Sequence, residues 1–213
     1  MRPAGSEFDG QEVAVILAAG RSSRLGRPKA LLEWGGETFL ARLVRVFRAA
    51  SVAPVVVTGG AYQGSHAAAI EEEIGRLGVE SYVNPDPTAG PRTSVQAALD
   101  GCAAVATATS LLWHPVDIPA LTVDDVTRLR AATEAHPEVD AFFLSHERRR
   151  LHPVWVRATL VPRIRALGGA ATLRDLWSEE GVGVHYVECE NALLAHDVDT
   201  PEDYAELLEH SPG

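Results

Sequence analysis

Short apolar runs rich in β-branched residues alternate with amphipathic stretches along this chain, which is the pattern of an α/β protein. The pattern predicts strands over 13–17, 54–58, 79–83 and 110–116, and further strand-like runs over 140–144, 154–157 and 184–188. Between them it predicts helices. The segment 38–50 turns Phe39, Leu40, Leu43, Val44, Val46 and Phe47 to one side and Arg42, Arg45 and Arg48 to the other. A second helix runs from Ser65 to Leu77 with Gly78 as its stop, and a third is capped by Thr93 or Ser94 and reaches about residue 104. Thr122 with Asp125 three residues on reads as a capping box, and that helix ends by His136 and Pro137. Helical stretches follow near 158–167 and 172–178, and Thr200, Pro201 and Asp203 open a terminal helix. Loops are expected over 18–30 and 84–92, a solvated turn at Arg148, Arg149 and Arg150, and frayed tails over 1–10 and 210–213.

At 213 residues the chain is expected to be one domain, an ordinary globular composition setting aside disorder and coiled coil. The longest apolar run, 13–19, is far short of the ~20 residues a bilayer demands, and no secretory pattern opens the chain, so a cytoplasmic location is the expectation. Cys102 and Cys189 form no CxxC pair and read as two buried thiols. With 19 basic against 29 acidic residues, a net charge of −10 disfavours a nucleic-acid partner. Lys29 is the only lysine; every other basic residue is arginine. A single compact ammonium in such a chain marks a place where a point charge is wanted, and its loop position leads one to expect it exposed.

Lys29 closes the stretch Leu17-Ala18-Ala19-Gly20-Arg21-Ser22-Ser23-Arg24-Leu25-Gly26-Arg27-Pro28-Lys29. A strand runs into small residues, where backbone N–H groups can approach an anion, and three arginines and the lysine surround it. This is a polyphosphate cradle that differs from the P-loop: five residues separate Gly20 from Gly26, and Ala30 follows the lysine. Asp117 stands at the end of a buried strand before Pro119, where open α/β sheets bind ligands. Asp197 and Asp199, two apart on an extended segment, point to one side and could approach one hard cation. The segment from Asn84 to Gly90, containing Asp86, should form a shaped loop beside the first one, and Ser94 offers a hydroxyl at the following helix. His152 precedes Pro153 and a strand.

The motif Leu17-Ala18-Ala19-Gly20-x-Ser22-x-Arg24-x-Gly26-x-x-Lys29 resembles the signature loop of nucleotidyltransferases with a glycosyltransferase-A-like fold, in particular the molybdenum cofactor cytidylyltransferases and their relatives. The resemblance continues through Asn84-Pro85-Asp86 with Gly90, Ser94-Val95, Asp117-Ile118-Pro119, His152-Pro153-Val154 and the run 197–203. It departs at Gly90-Pro91-Arg92-Thr93-Ser94, where relatives carry Gly-Met and serines, and at Leu151, where they have glycine.

The resemblance implies a three-layer, Rossmann-like α/β fold with a mostly parallel twisted sheet, its nucleotide-binding half over about 12–120 and its acceptor-binding half over about 121–209. It implies that Arg24 and Lys29 bind the β- and γ-phosphates, and that Asp117 and Asp199 hold Mg²⁺, or Mn²⁺. It places Leu17, Ala18, Ala19, Gly20, Ser22, Gly59, Asn84, Asp86, Gly90 and Ser94 around the nucleotide, and His152 and Pro153 on the acceptor side. The implied reaction is nucleotidyl transfer from a nucleoside triphosphate to a small phosphorylated acceptor, molybdopterin by resemblance, and the Ala18-Ala19 pair looks more like CTP users than GTP users. A molybdoenzyme maturation partner would then receive the product. A transferase acting on a sugar phosphate and a noncatalytic carrier of the cofactor remain alternatives.

Overall fold

The computed structural model describes residues 12–20, 22, 24–59 and 65–211. Arg21 and most of both expected tails lie outside the described residues. The chain runs β1 (Glu12–Ala18), β2 (Glu33–Trp34), β3 (Glu37–Thr38), α1 (Phe39–Ala49), β4 (Ala53–Gly59), α2 (Ser65–Leu77) and β5 (Glu80–Asn84). It continues through α3 (Pro91–Gly101), α4 (Ala103–Thr107), β6 (Ser110–Pro115), α5 (Val123–Ala135), β7 (Ala141–His146) and β8 (Arg149–Arg157). Helices α6 (Val161–Ala166) and α7 (Leu173–Leu176), strand β9 (Val184–Glu188) and helix α8 (Pro201–Glu209) complete it.

Seven strands form one sheet in the order β5-β4-β1-β6-β8-β7-β9. All pairs are parallel except those that β8 makes with β6 and β7, so β8 alone runs against the others. The result is the expected three-layer, mostly parallel α/β architecture. Period-two alternation divides the core: Ala14, Ile16 and Ala18 of β1 pack toward α1, α2, α5 and α8, whereas Val13 and Val15 pack toward α3, α4, α6 and α7. The carboxyl ends of the neighbouring parallel strands β1 and β6 come side by side, with the N–H of Val116 donating to the carbonyl of Leu17 at 3.1 Å.

Three boundaries depart from the sequence pattern. Helix α3 starts at Pro91, with Gly90 at φ 86° as its cap, rather than at a Thr93 or Ser94 cap. Proline presets the first helical φ and glycine supplies the left-handed step that an L side chain resists. The Thr93 hydroxyl instead donates backward to the carbonyls of Asp86 and Gly90. The same helical region breaks at Cys102, which separates α3 from α4. Strand β8 reaches back to Arg149, so Arg149 and Arg150 are strand residues and the turn is carried by Glu147 and Arg148, at φ 49° and 67°. Leu151, where relatives have glycine, is a buried core residue of that strand.

Thr122 with Asp125 forms the reciprocal capping box read from the sequence, and the expected Thr200 cap proves to be a reciprocal box with Asp203 as well, as does Thr172 with Asp175. The apolar face of α1 is withdrawn from water, and Phe47 in its last turn is 0% exposed. Phe47→Ala should therefore cost about 3–5 kcal/mol in urea unfolding; a loss under 1 kcal/mol would mean that this face is not the core contact the packing indicates.

Candidate functional site

The loop after β1 curls back on itself. Ser22 takes a left-handed φ of 49°, and its Oγ accepts the backbone N–H of Lys29 at 3.0 Å. Lys29 opens a single 3₁₀ turn and sends its side chain inward, where only 12% of it is exposed. Its Nζ donates to Asp117 Oδ2 at 2.7 Å and to Asp199 Oδ1 at 2.5 Å. The expectation of an exposed Lys29 is thus overturned: two carboxylates draw it into the interface between loop and sheet end. Arg24 stays outside, its Nη1 3.7 Å from the other oxygen of Asp199.

Backbone contacts bring the carboxylates together. The Val198 N–H donates to the Asp117 carbonyl at 3.0 Å, laying the 197–199 segment along the end of β6. Burial alone would lower the ammonium pKa of Lys29, but the charge of Asp117 and its hydrogen bonds to Asp117 and Asp199 push it above the ordinary lysine value. Asp197 is moved the other way: desolvation first, then the charges of Asp117 and Asp199, raise its carboxyl above the usual range. Three acids and one lysine therefore share this corner.

Ala18 and Ala19 are buried, and Gly59 abuts them so closely that a Cβ on it would sit 2.5 Å from the Ala19 carbonyl oxygen. Gly20 faces open space. Asn84, 0% exposed, donates to Thr93 Oγ1 and Ser94 Oγ at 2.9 Å each and accepts the Asp86 N–H at 2.9 Å. The residues read as a nucleotide wall thus form a hydrogen-bonded knot that sets the start of α3, with both amide hydrogens of Asn84 engaged within the protein.

The domain model for MobA-like NTP transferases matches residues 14–184. The chain belongs to the MobA-like NTP transferase family. It is a nucleotidyltransferase. Over 196 residues it is 32% identical to the molybdenum cofactor guanylyltransferase of Rhodobacter capsulatus, covering 90% of this chain and 92% of that one. Over 191 residues it is 30% identical to the molybdenum cofactor cytidylyltransferase of Escherichia coli, covering 89% and 92%. The crystal structure of Rv0371c from Mycobacterium tuberculosis superposes with a TM-score of 0.76 at 27% identity, covering 94% of this chain and 99% of that one.

In this family member a cavity of about 780 Å³ opens between the start of α3 and the β8–α7 side of the sheet. Gly90 and His152 both line it, which joins the expected nucleotide wall to the expected acceptor side. Its floor is aromatic: Trp113 stacks on Trp177 with centroids 5.9 Å apart, and Phe143 meets Trp177 edge-on at 5.1 Å. Arg92, Arg150 and Arg174 line it, and among the described residues no acidic side chain does. Arg92 is engaged with Gln96 and the carbonyls of Leu167 and Gly169, and Arg150 with the Tyr186 hydroxyl. Pro153 is buried behind His152 and follows it through a cis peptide.

Sequence reasoning did not single out Trp113, Trp177 or Arg174. Trp113 and Phe143 lie on strands whose period-two pattern marks them as core, and only the fold reveals that the same side opens into a cavity. It also missed His114, a wholly buried imidazole on β6 whose pKa is lowered to about 3, chiefly by burial. Burial likewise lowers His152 to about 4.

Two outcomes follow. Lys29→Ala should lose about 1–2 kcal/mol of stability, because it leaves close carboxylates without their cation in a partly hydrated corner; an unchanged urea midpoint would contradict the clamp. His114 stays neutral when folded but takes up a proton near pH 6.5 when unfolded, so its contribution is complete above that pH and is lost on acidification. Between about pH 6.5 and about pH 3 it should add up to about 1.4 kcal/mol per pH unit to the slope of stability against pH. Urea unfolding of His114→Gln at several pH values should give a shallower slope than wild type, and equal slopes would show that this imidazole titrates alike in both states.

Proposed function

We propose that the chain transfers CMP from CTP to the molybdenum cofactor, with release of pyrophosphate. An oxygen of the acceptor's terminal phosphate attacks the α-phosphorus, that P–O bond forms, and the bond from the α-phosphorus to the oxygen bridging toward the β-phosphorus breaks. Such chemistry asks for positioning and charge neutralisation more than for a covalent nucleophile. The observation that carries the reading is the convergence of Lys29, Asp117 and Asp199, far apart in sequence, on one corner at the sheet's carboxyl end.

Lys29 and Arg24 are the cations placed to meet the β- and γ-phosphates and the leaving pyrophosphate. When phosphate oxygens arrive they compete with Asp117 and Asp199 for the Lys29 ammonium. Among the described residues no group of three His, Cys, Asp or Glu side chains is arranged to hold a metal. Two carboxylates nevertheless suit Mg²⁺, which is commonly bound by one or two of them together with substrate phosphates. Asp117 and Asp199 would hold Mg²⁺ or Mn²⁺, whose charge would offset that of the triphosphate when bound. A structure of Rv0371c is a complex with manganese.

The acceptor half is read from the aromatic and arginine-lined cavity, which suits a planar ring system carrying phosphate. Guanylyl- and cytidylyltransferases both stand among the relatives, at 32% and 30% identity, so the base is argued from the pocket itself. The buried methyls of Ala18 and Ala19, with Gly59 pressed against Ala19, leave less room than glycine would and favour a pyrimidine. No described helix is long and apolar enough to cross a membrane.

CTP with Mg²⁺ should raise the melting temperature more than equimolar GTP, by discrimination on the order of one to a few kcal/mol. A larger shift with GTP would overturn the cytidylyl reading and leave nucleotidyl transfer standing. Asp117→Asn should nearly abolish pyrophosphate release in the presence of molybdenum cofactor, since an amide keeps the shape and loses the charge. Wild-type turnover by that variant at limiting Mg²⁺ would remove Asp117 from the reaction.

A further inference from the structure

The turn that carries Asp117 is pinned at four successive carbonyls. The Asp117 carbonyl accepts from Val198 N–H at 3.0 Å, that of Ile118 meets His114 Nε2 at 2.7 Å, that of Pro119 accepts from Arg42 Nε at 2.9 Å, and that of Ala120 from Asn191 Nδ2 at 3.0 Å. Each donor comes from a different part of the fold, and three of the four are side chains. Pro119 further restricts the backbone just after Ile118.

His114 stands apart in this set. It is 0% exposed, on a strand whose neighbours Leu112 and Trp113 are apolar, and wedged edge-to-face between Phe47 and His152 with ring centroids 6.2 Å away on either side. A carbonyl can only accept, so Nε2 must carry the proton; Nδ1 is left without a partner. Burying an imidazole with one nitrogen unsatisfied is unfavourable, and an apolar side chain would fill the space without that cost. What the imidazole supplies is a donor that reaches the Ile118 carbonyl inside the core.

We propose that His114 is a positioning residue for Asp117: its Nε2–H holds the Ile118 carbonyl and so fixes the turn that points the Asp117 carboxylate toward the Lys29 corner. This rests on the reading that Asp117 serves the triphosphate through a divalent cation. His114 touches neither substrate nor reacting atoms. It acts through the backbone between residues 114 and 118.

The test compares three variants with wild type by calorimetric titration of CTP, once with Mg²⁺ and once with EDTA. His114→Leu removes the donor; His114→Gln can place an amide N–H close to the Nε2 position; Asp117→Asn removes the charge. The affinity gained on adding Mg²⁺ should fall about tenfold or more in His114→Leu, as loss of a supporting hydrogen bond to a ligand residue does elsewhere, with affinity in EDTA within about twofold. His114→Gln should restore most of it. Should His114→Leu fail to fold, ¹⁵N correlation spectra of the wild-type imidazoles decide: a neutral Nε2–H tautomer from about pH 5 to 8 is expected. A neutral Nδ1–H tautomer, an undiminished Mg²⁺ gain in folded His114→Leu, or a glutamine variant no better than leucine would overturn the proposal. An Asp117→Asn variant that keeps the full Mg²⁺ gain would overturn the reading of Asp117 itself, irrespective of how the His114 variants behave.

Discussion

One ammonium between two carboxylates holds the site in register. Lys29 sits at the end of a glycine- and arginine-rich loop, Asp117 at the end of β6 and Asp199 just before α8, and nothing local in sequence links them. Without the cation, Asp117, Asp197 and Asp199 would face one another in a half-dried corner, where like charges repel far more than in water. The clamp therefore fixes the loop after β1 and the segment before α8 to the same strand end. Under the proposed function the same contacts are those that an incoming triphosphate would rearrange.

That clamp explains why the supporting structure is stiff. The carbonyls of residues 117–120 are each taken by a donor, the Asn84 knot fixes the start of α3, and Gly59 lies against Ala19 with no room for a side chain. A loop lysine and a strand-end aspartate can meet at hydrogen-bond distance only if both backbones are held, and each of these contacts removes freedom that the pair would otherwise have to overcome. The cavity beside them is built differently. Its walls are large rings and arginine side chains.

Much of this was legible in the residue pattern because it depends on local physics. The apolar run of β1, the one-sided apolar face of α1 and the Thr122–Asp125 capping box specify their elements without help from distant residues, and the structure follows them. The family was legible in the loop that ends at Lys29 and in Asp117-Ile118-Pro119, because small residues and charges at such spacings make a recognisable pattern. The start of α3 was not, since Gly90 with Pro91 competes with Thr93 as a helix opening and tertiary hydrogen bonds decide between them. Nor was the burial of Lys29, which follows from Asp117 and Asp199 arriving from elsewhere in the chain. His114 was hidden for the same reason: its partner is a backbone carbonyl, and no side-chain pattern announces it.

The central claim is that the Lys29–Asp117 contact joins loop to sheet as one energetic unit. A double-mutant cycle measures it directly: urea-unfolding free energies of wild type, Lys29→Met, Asp117→Asn and the double variant at pH 7 and low salt. The account predicts that the two single losses exceed the loss in the double variant, with a coupling of about 1 kcal/mol or more that shrinks as salt is added. Strict additivity, within about 0.3 kcal/mol at low salt, would contradict it.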